Sequence, residues 1–426
     1  MNHYEARILK LRQRIKKIEE NPDPTKLASN KIRYEIQLED TQQQLDAWRE
    51  GRPFSDGGGG FMAGPLARAM GFAPMGNVGV AIGATEPQKY LELARERGLP
   101  VDNACDMTSI PFAMQEGGAV PMEDVAICDP HSCTVMCLAA IFLSHTHTKD
   151  RFTYYLDVAP EENEENLKHV TDQLGEFIDF AEKKFPGKIK YNEDRLIEMQ
   201  SYEEAAREPI YEMYEMRRRV PSPIAGKDAF GGGFGASTAK GLEYIRARRD
   251  EMAERIDKGI VGLPGEKLRM LWTVTRPFFM DPFEVLAKRK AAVVFYYSGP
   301  TWRSIPMKRT PYWGDRELSP LEKVAASAIS SRYRTPATTW ISEIIKVCGD
   351  FQIDAIINYN MVGCTATLGF KKLLEDSVEN ELGIPTLQLE GKQWDSSFAN
   401  EAVITSQLDE FAQMCLSKKE MIGGIR

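Results

Sequence analysis

The sequence predicts an α/β protein of two lobes, each built on a mainly parallel sheet. Two observations carry this. Short apolar runs rich in β-branched and aromatic residues alternate with amphipathic helical stretches, first over 60–220 and again over 261–426. The chain of 426 residues also has the length of two or three domains at ~150 residues each. Composition agrees, because 42% hydrophobic and 27% charged residues leave ample material for cores and exclude disorder as the main state. The 33 glycines show no three-residue period and 7 cysteines are sparse, which excludes collagen-like and disulfide-scaffold chains.

Residues 1–52 read as a helical hairpin. Ile8, Leu11, Ile15 and Ile18 recur at helical spacing, Pro22 and Pro24 break the pattern, and Ile32, Ile36, Leu45 and Trp48 resume it. No sustained heptad supports a long coiled coil, and packing of the hairpin on its own chain is the expected arrangement. After the joint at Gly57 to Gly60, PLARAMGFAPMG reads as a short helix ending at Gly71. NVGVAIG reads as a strand or loop edge, EPQKYLELARERG as a helix, DVAIC as a strand, SCTVMCLAAIFLSH as an apolar helix and RFTYYLDV as a strand. The charged stretch 161–215 has helical spacing and extends the first lobe to residue 220. Residues 221–260 read as a loop and a connecting helix. In the second lobe LRMLWTV, AAVVFYY, DAIINY and IPTLQLE are strands; DPFEVLAKRK, TTWISEIIKVCGDF, FKKLLEDSVENELG and ITSQLDEFAQMCL are helices. Two Rossmann-like or flavodoxin-like lobes, with the hairpin and a helical connecting region, follow from this order.

Charge and hydropathy narrow the function classes. Lys and Arg total 54 against 62 Asp and Glu, a net charge of −8, which lacks the basic footprint that a phosphate backbone requires. No run reaches the ~18 apolar residues of a membrane span. The N-terminus MNHYEARILKLRQRIKK carries charge where a signal peptide needs an apolar stretch. A cytoplasmic protein without nucleic-acid or membrane partners is the expectation. An odd number of cysteines then points to thiols, metal ligands or catalysis rather than disulfides.

Three cysteines share one kind of position, a loop just past a strand or just before a helix: Cys105 in VDNACDMTS, Cys133 in ICDPHSCTV and Cys364 in NYNMVGCTA. Ligands of α/β folds bind at the carboxyl ends of parallel strands. Cys133 and Cys364 also stand near expected helix N-termini, which favour a thiolate. Three thiolates converging from two lobes can hold a cluster in the cleft between them. Packing is the competing reading for any single cysteine. Cys348 and Cys415 fall on apolar helix faces and read as core, Cys128 ends a strand and leans the same way, and Cys137, four residues past Cys133, stays open between packing and ligation. No ferredoxin-type run or zinc-ribbon pair occurs.

The same segments carry a family likeness. PLARAMGFAPM, NACDMTS, IPFAMQEGGAVPMEDVAICDPHSCTVM and DAIINYNMVGCTATLGFKKLLEDSVENELGIPTLQLEG, over most of 60–420, resemble the iron–sulfur subunits of the 2-hydroxyacyl-CoA dehydratase and benzoyl-CoA reductase family. The resemblance implies that Cys105, Cys133 and Cys364 ligate one [4Fe–4S] cluster and leave one iron without a protein ligand. It implies one-electron addition to a CoA thioester carbonyl, giving a ketyl-type radical anion. It also implies a homologous cluster-bearing subunit as heterodimer partner and a separate ATP-hydrolysing iron–sulfur activator. The dehydratases usually continue the G-I-P strand with Glu-Gly-Asp; here Lys392 replaces that acid, in EGKQWD, while Asp395 remains. With the long hairpin, this tilts the resemblance toward a benzoyl-CoA reductase subunit of the B type acting on an aromatic acyl-CoA. A dehydratase subunit, or an electron-transfer subunit without its own substrate site, are the alternatives.

Other motifs are weaker. Gly226-Lys227 looks like the end of a P-loop, but Pro221 stands where its first glycine belongs and Asp228 where it needs Ser or Thr. The run 230–237 has no strand before it, so it reads as a linker, with a substrate-facing loop as the alternative. His145 and His147 read as a polar helix end. His131, two residues from Cys133, is the candidate proton or hydrogen-bond donor, with a local turn as the competing role.

Overall fold

The computed structural model describes residues 2–21, 26–55, 64–129, 133–146, 151–159, 161–229, 234–297, 313, 316–330, 336–364 and 369–423. The chain opens on the two arms of the hairpin, α1 (His3–Glu20) and α2 (Asn30–Glu50). A capping box starts α1: the Asn2 side chain accepts from the Glu5 N–H at 2.9 Å, and the Glu5 carboxylate accepts from the Asn2 N–H at 3.1 Å. The hairpin packs on its own chain, with Tyr4, Ile8 and Leu45 in one core with Val80, Leu91, Ile110 and Phe112.

The first lobe runs β1 (Phe54–Ser55), α3 (Gly64–Met70), β2 (Ala73–Pro74), α4 (Asn77–Gly83), α5 (Pro87–Glu96), α6 (Asp106–Glu116), β3 (Val125–Cys128), α7 (Thr134–Thr146) and β4 (Phe152–Tyr155). Its four strands are parallel in the order β2-β1-β3-β4. One element corrects the sequence expectation: NVGVAIG forms the helix α4, not a strand or loop edge. A short apolar run carries no decisive period, and burial of Val80 and Ala81 against the hairpin and α6 selects the helix. The two-residue strands β1 and β2 are too short to show alternation, and Pro111 inside α6 masks that helix in the sequence. The charged stretch folds as α8 (Glu164–Lys184) and α9 (Glu193–Arg217), and α8 covers one face of the sheet, with Leu167, Leu174 and Phe177 against Val125 and Ile127. The connecting helix α10 (Ala239–Asp257) joins α9 and α2 through Leu242, Ile245, Ala206, Ile210 and Ile36.

The second lobe runs β5 (Leu268–Thr273), α11 (Pro282–Lys288), β6 (Ala291–Tyr297), α12 (Pro320–Ile329), α13 (Ala337–Phe351), β7 (Ala355–Met361), α14 (Lys371–Leu382), β8 (Thr386–Gly391) and α15 (Glu401–Gly423). Its parallel order is β6-β5-β7-β8, the same winding as the first lobe. Strands β5, β6 and β7 are buried along their whole length, as parallel strands covered on both faces must be. Leu268, Met270 and Trp272 pack toward α11 and α15, while Leu271 and Ile356 pack toward α13 and α14. Helix α12 reaches back, and Val324, Ala325 and Ile329 complete the core under the first sheet. Among the described residues no helix is long and apolar enough to cross a membrane.

Candidate functional site

Both sheets place a cysteine loop at the point where their winding reverses. Each has its first strand central and its third strand beside it, so the crevice opens past the carboxyl ends of β1 and β3 in one lobe and of β5 and β7 in the other. Cys133 follows β3 and Cys364 follows β7. Cys105 comes from the turn before α6 and is that helix's N-cap.

The two lobes meet at these loops. Gly363 has φ +88°, and a Cβ there would lie 2.6 Å from the Ala104 carbonyl carbon and 2.8 Å from the Cys105 nitrogen. Only glycine lets the Cys364 loop lie on the Cys105 backbone in this conformation. The Cys364 N–H closes the turn on the Met361 carbonyl at 3.0 Å. The Cys105 sulfur accepts from the Met107 N–H and from Gln393 Nε2 at 3.4 Å, and lies 3.7 Å from the Met361 sulfur. The Cys133 sulfur accepts from the Met136 and Val135 N–H groups at the start of α7.

Burial is the main force on these thiols. It pushes Cys105 well above the usual range, and the neighbouring Cys364 and Cys133 charges push it further. Cys133 is pushed up to about 12, by burial first and then partly by Cys364, against the pull of the Met136 N–H. The three sulfurs from three loops therefore feel one another electrostatically. Gathering three thiolates in such a place is unfavourable unless positive charge joins them.

A clasp from the second lobe holds the Cys105 loop. Lys392, fully buried just past β8, donates to the Val101 carbonyl and to the Ala104 carbonyl at 3.1 Å, and pairs with the fully buried Asp106 at 3.7 Å. Asp106 accepts in turn from the Trp394 N–H at 2.8 Å and the Asp395 N–H at 3.1 Å. Asp395 pairs with Arg95 at 2.8 Å, and Trp394 stacks on Phe278 with ring centroids 4.6 Å apart. Burial raises Asp106, opposed by the Trp394 N–H and the Lys392 charge. In the sequence Lys392 stands out only as a missing acid. Gln393, Met361 and Asp106 carried no recognisable signal, because their partners are distant in the chain.

The remaining candidates sort by burial. Cys348 and Cys415 lie in the two cores that flank the second sheet. Cys128 and Cys137 form a buried cluster with Ala126 and Ala140. Lys227 pairs with Asp281. His145 is an exposed residue at the end of α7. His131, His147 and residues 230–233 lie outside the described residues. A cavity of about 50 Å³ beside Cys133, lined also by Met107, Phe112, Cys128 and Cys137, has room for water-sized molecules.

Residues 61–415 match the family described as 2-hydroxyglutaryl-CoA dehydratase, D-component. The chain belongs to the 2-hydroxyglutaryl-CoA dehydratase D-component family. The matched region of this D-component family member begins past the hairpin and β1, and spans the other three strands of the first sheet, the whole second sheet, all three loop cysteines and the clasp. No curated protein sequence matches the chain. The family, which takes in 2-hydroxyacyl-CoA dehydratase and benzoyl-CoA reductase subunits, is one of iron–sulfur proteins that act on CoA thioesters with a partner subunit and an activator.

The site of this family member fits such a cluster in its donor chemistry: none of the three sulfurs is in a disulfide, and like charges accumulate where a cationic core would relieve them. Among the described residues no three His, Cys, Asp or Glu side chains close around a single metal ion.

Proposed function

We propose that this chain is the [4Fe–4S]-bearing subunit of an ATP-activated aromatic acyl-CoA reductase of the benzoyl-CoA type, with Cys105, Cys133 and Cys364 as the cluster ligands. The observation that carries the reading is the meeting of the cysteine loops: Cys133 and Cys364 follow β3 and β7 at the winding reversals, and at Gly363 the Cys364 loop lies on the Cys105 backbone. Bound there, such a cluster supplies a low-potential electron to a CoA thioester carbonyl. The residues of the chain prepare the place. Lys392 ties down the two carbonyls that flank the Cys105 turn. Gln393 offers its amide to the Cys105 sulfur, and each such bond raises a cluster's potential. Met361 beside Cys105, and Met107 and Phe112 beside Cys133, contribute apolar surroundings that exclude water and lower it. His131 is proposed as the proton or hydrogen-bond donor beside Cys133.

Position 392 supports the reductase branch: its lysine is consumed in the lobe contact and presents no acid. A second reading, a 2-hydroxyacyl-CoA dehydratase subunit, is favoured by the description of the matched family. With activator and partner subunit supplied, ring reduction of an aromatic CoA thioester supports the first, and water elimination from a 2-hydroxyacyl-CoA supports the second. The ligand set is tested by anaerobic purification with iron and sulfide analysis. Cys→Ser at 105, 133 or 364 is expected to lose the cluster, and Cys→Ser at 348 or 415 to keep it. Full iron in any of the first three variants overturns the ligand assignment.

A further inference from the structure

Cys128 and Cys137 stand beside the three-thiol site in a buried cluster of their own. Cys128 closes β3, where its carbonyl accepts from the Leu156 N–H at 2.8 Å. Cys137 lies one helical turn beyond Cys133 on α7, with its N–H on the Cys133 carbonyl at 3.2 Å. The small Ala126 and Ala140 let this helix approach the strand closely, and the four residues form one buried cluster. Within it the two thiols stand side by side. Both line the cavity of about 50 Å³ beside Cys133.

We infer that Cys128 and Cys137 form a redox-active dithiol, a site that a two-electron thiol oxidant closes to an intramolecular disulfide. With a diazene oxidant, the Cys137 thiolate adds to one nitrogen, forming an S–N bond while the other nitrogen takes a proton. The Cys128 sulfur then attacks the Cys137 sulfur. The S–S bond forms, the S–N bond breaks, and the released nitrogen takes the Cys128 proton. Two thiols lose two electrons and two protons, and the diazene leaves as a hydrazine. Because Cys137 and Cys133 share a turn of α7, closure pins to β3 the helix that presents Cys133 to the site.

The test treats the full-length, anaerobically purified protein with azodicarboxamide. Differential alkylation before and after reduction, read by fragment-ion mass spectrometry, then locates oxidised thiols. The expected result is loss of two alkylatable thiols, at 128 and 137, with the bond between them. Cys137→Ser and, as a second variant, Cys128→Ala are expected to abolish it, and Cys348→Ser to leave it unchanged. Cys105→Ser is expected to retain the disulfide while losing iron, which separates this inference from the cluster assignment. An oxidised bond that joins Cys133 to either residue, or both thiols still alkylatable after treatment of natively folded wild-type protein, overturns it.

Discussion

Lys392→Met tests whether the clasp after β8 holds the lobes together. Both charges of the Lys392–Asp106 pair are fully buried and 3.7 Å apart. At an effective dielectric constant of ~20 their attraction is about 4.5 kcal/mol. Breaking a buried pair by removing one partner costs about 3–5 kcal/mol, because the other charge stays uncompensated. Methionine fills the lysine's volume but also leaves the Val101 and Ala104 carbonyls without this donor. The expected loss is therefore about 3–5 kcal/mol, read by urea unfolding. Asp106→Asn keeps an acceptor oxygen for the Trp394 and Asp395 N–H groups and removes the charge. The loss in the double variant is expected to fall short of the sum of the two single losses by at least about 1 kcal/mol. Strict additivity, or a Lys392→Met variant within about 0.5 kcal/mol of wild type, would refute the assignment of this pair as the lobe clasp.

Two further outcomes follow from the same geometry. Gly363→Ala combines a left-handed backbone, worth about 1–2 kcal/mol against alanine, with a backbone collision worth about 1–3 kcal/mol. Thermal unfolding is expected to show a combined loss of about 2–5 kcal/mol, with iron content falling as the Cys364 loop lifts; a wild-type melting profile with full iron contradicts it. His3 is held down from 6.5 to about 4, chiefly by burial and then by Arg7, so the fold favours its neutral ring. Its contribution of about 3 kcal/mol is complete above the unfolded value and is lost as pH falls toward the folded one. His3→Gln is expected to flatten the stability–pH curve across that window, and denaturation at matched pH values with an unchanged slope counts against it.

Local pattern determined much of this protein. The hairpin, the two α/β alternations and the strand ends that carry Cys133 and Cys364 follow from which faces must be buried, and that information lies within a few residues of each position. The cores around Cys348 and Cys415 were legible for the same reason. Tertiary structure decided the rest. Periodicity says that a face is covered but not by what, so α4 chose helix over strand only through the hairpin and α6. Nor could it show that α12 completes the core of the other lobe. Lys392 meets Val101 and Ala104 across 291 and 288 residues of chain, a separation at which sequence pattern carries no partner information. The contact between Cys128 and Cys137 depends likewise on how closely α7 settles on β3.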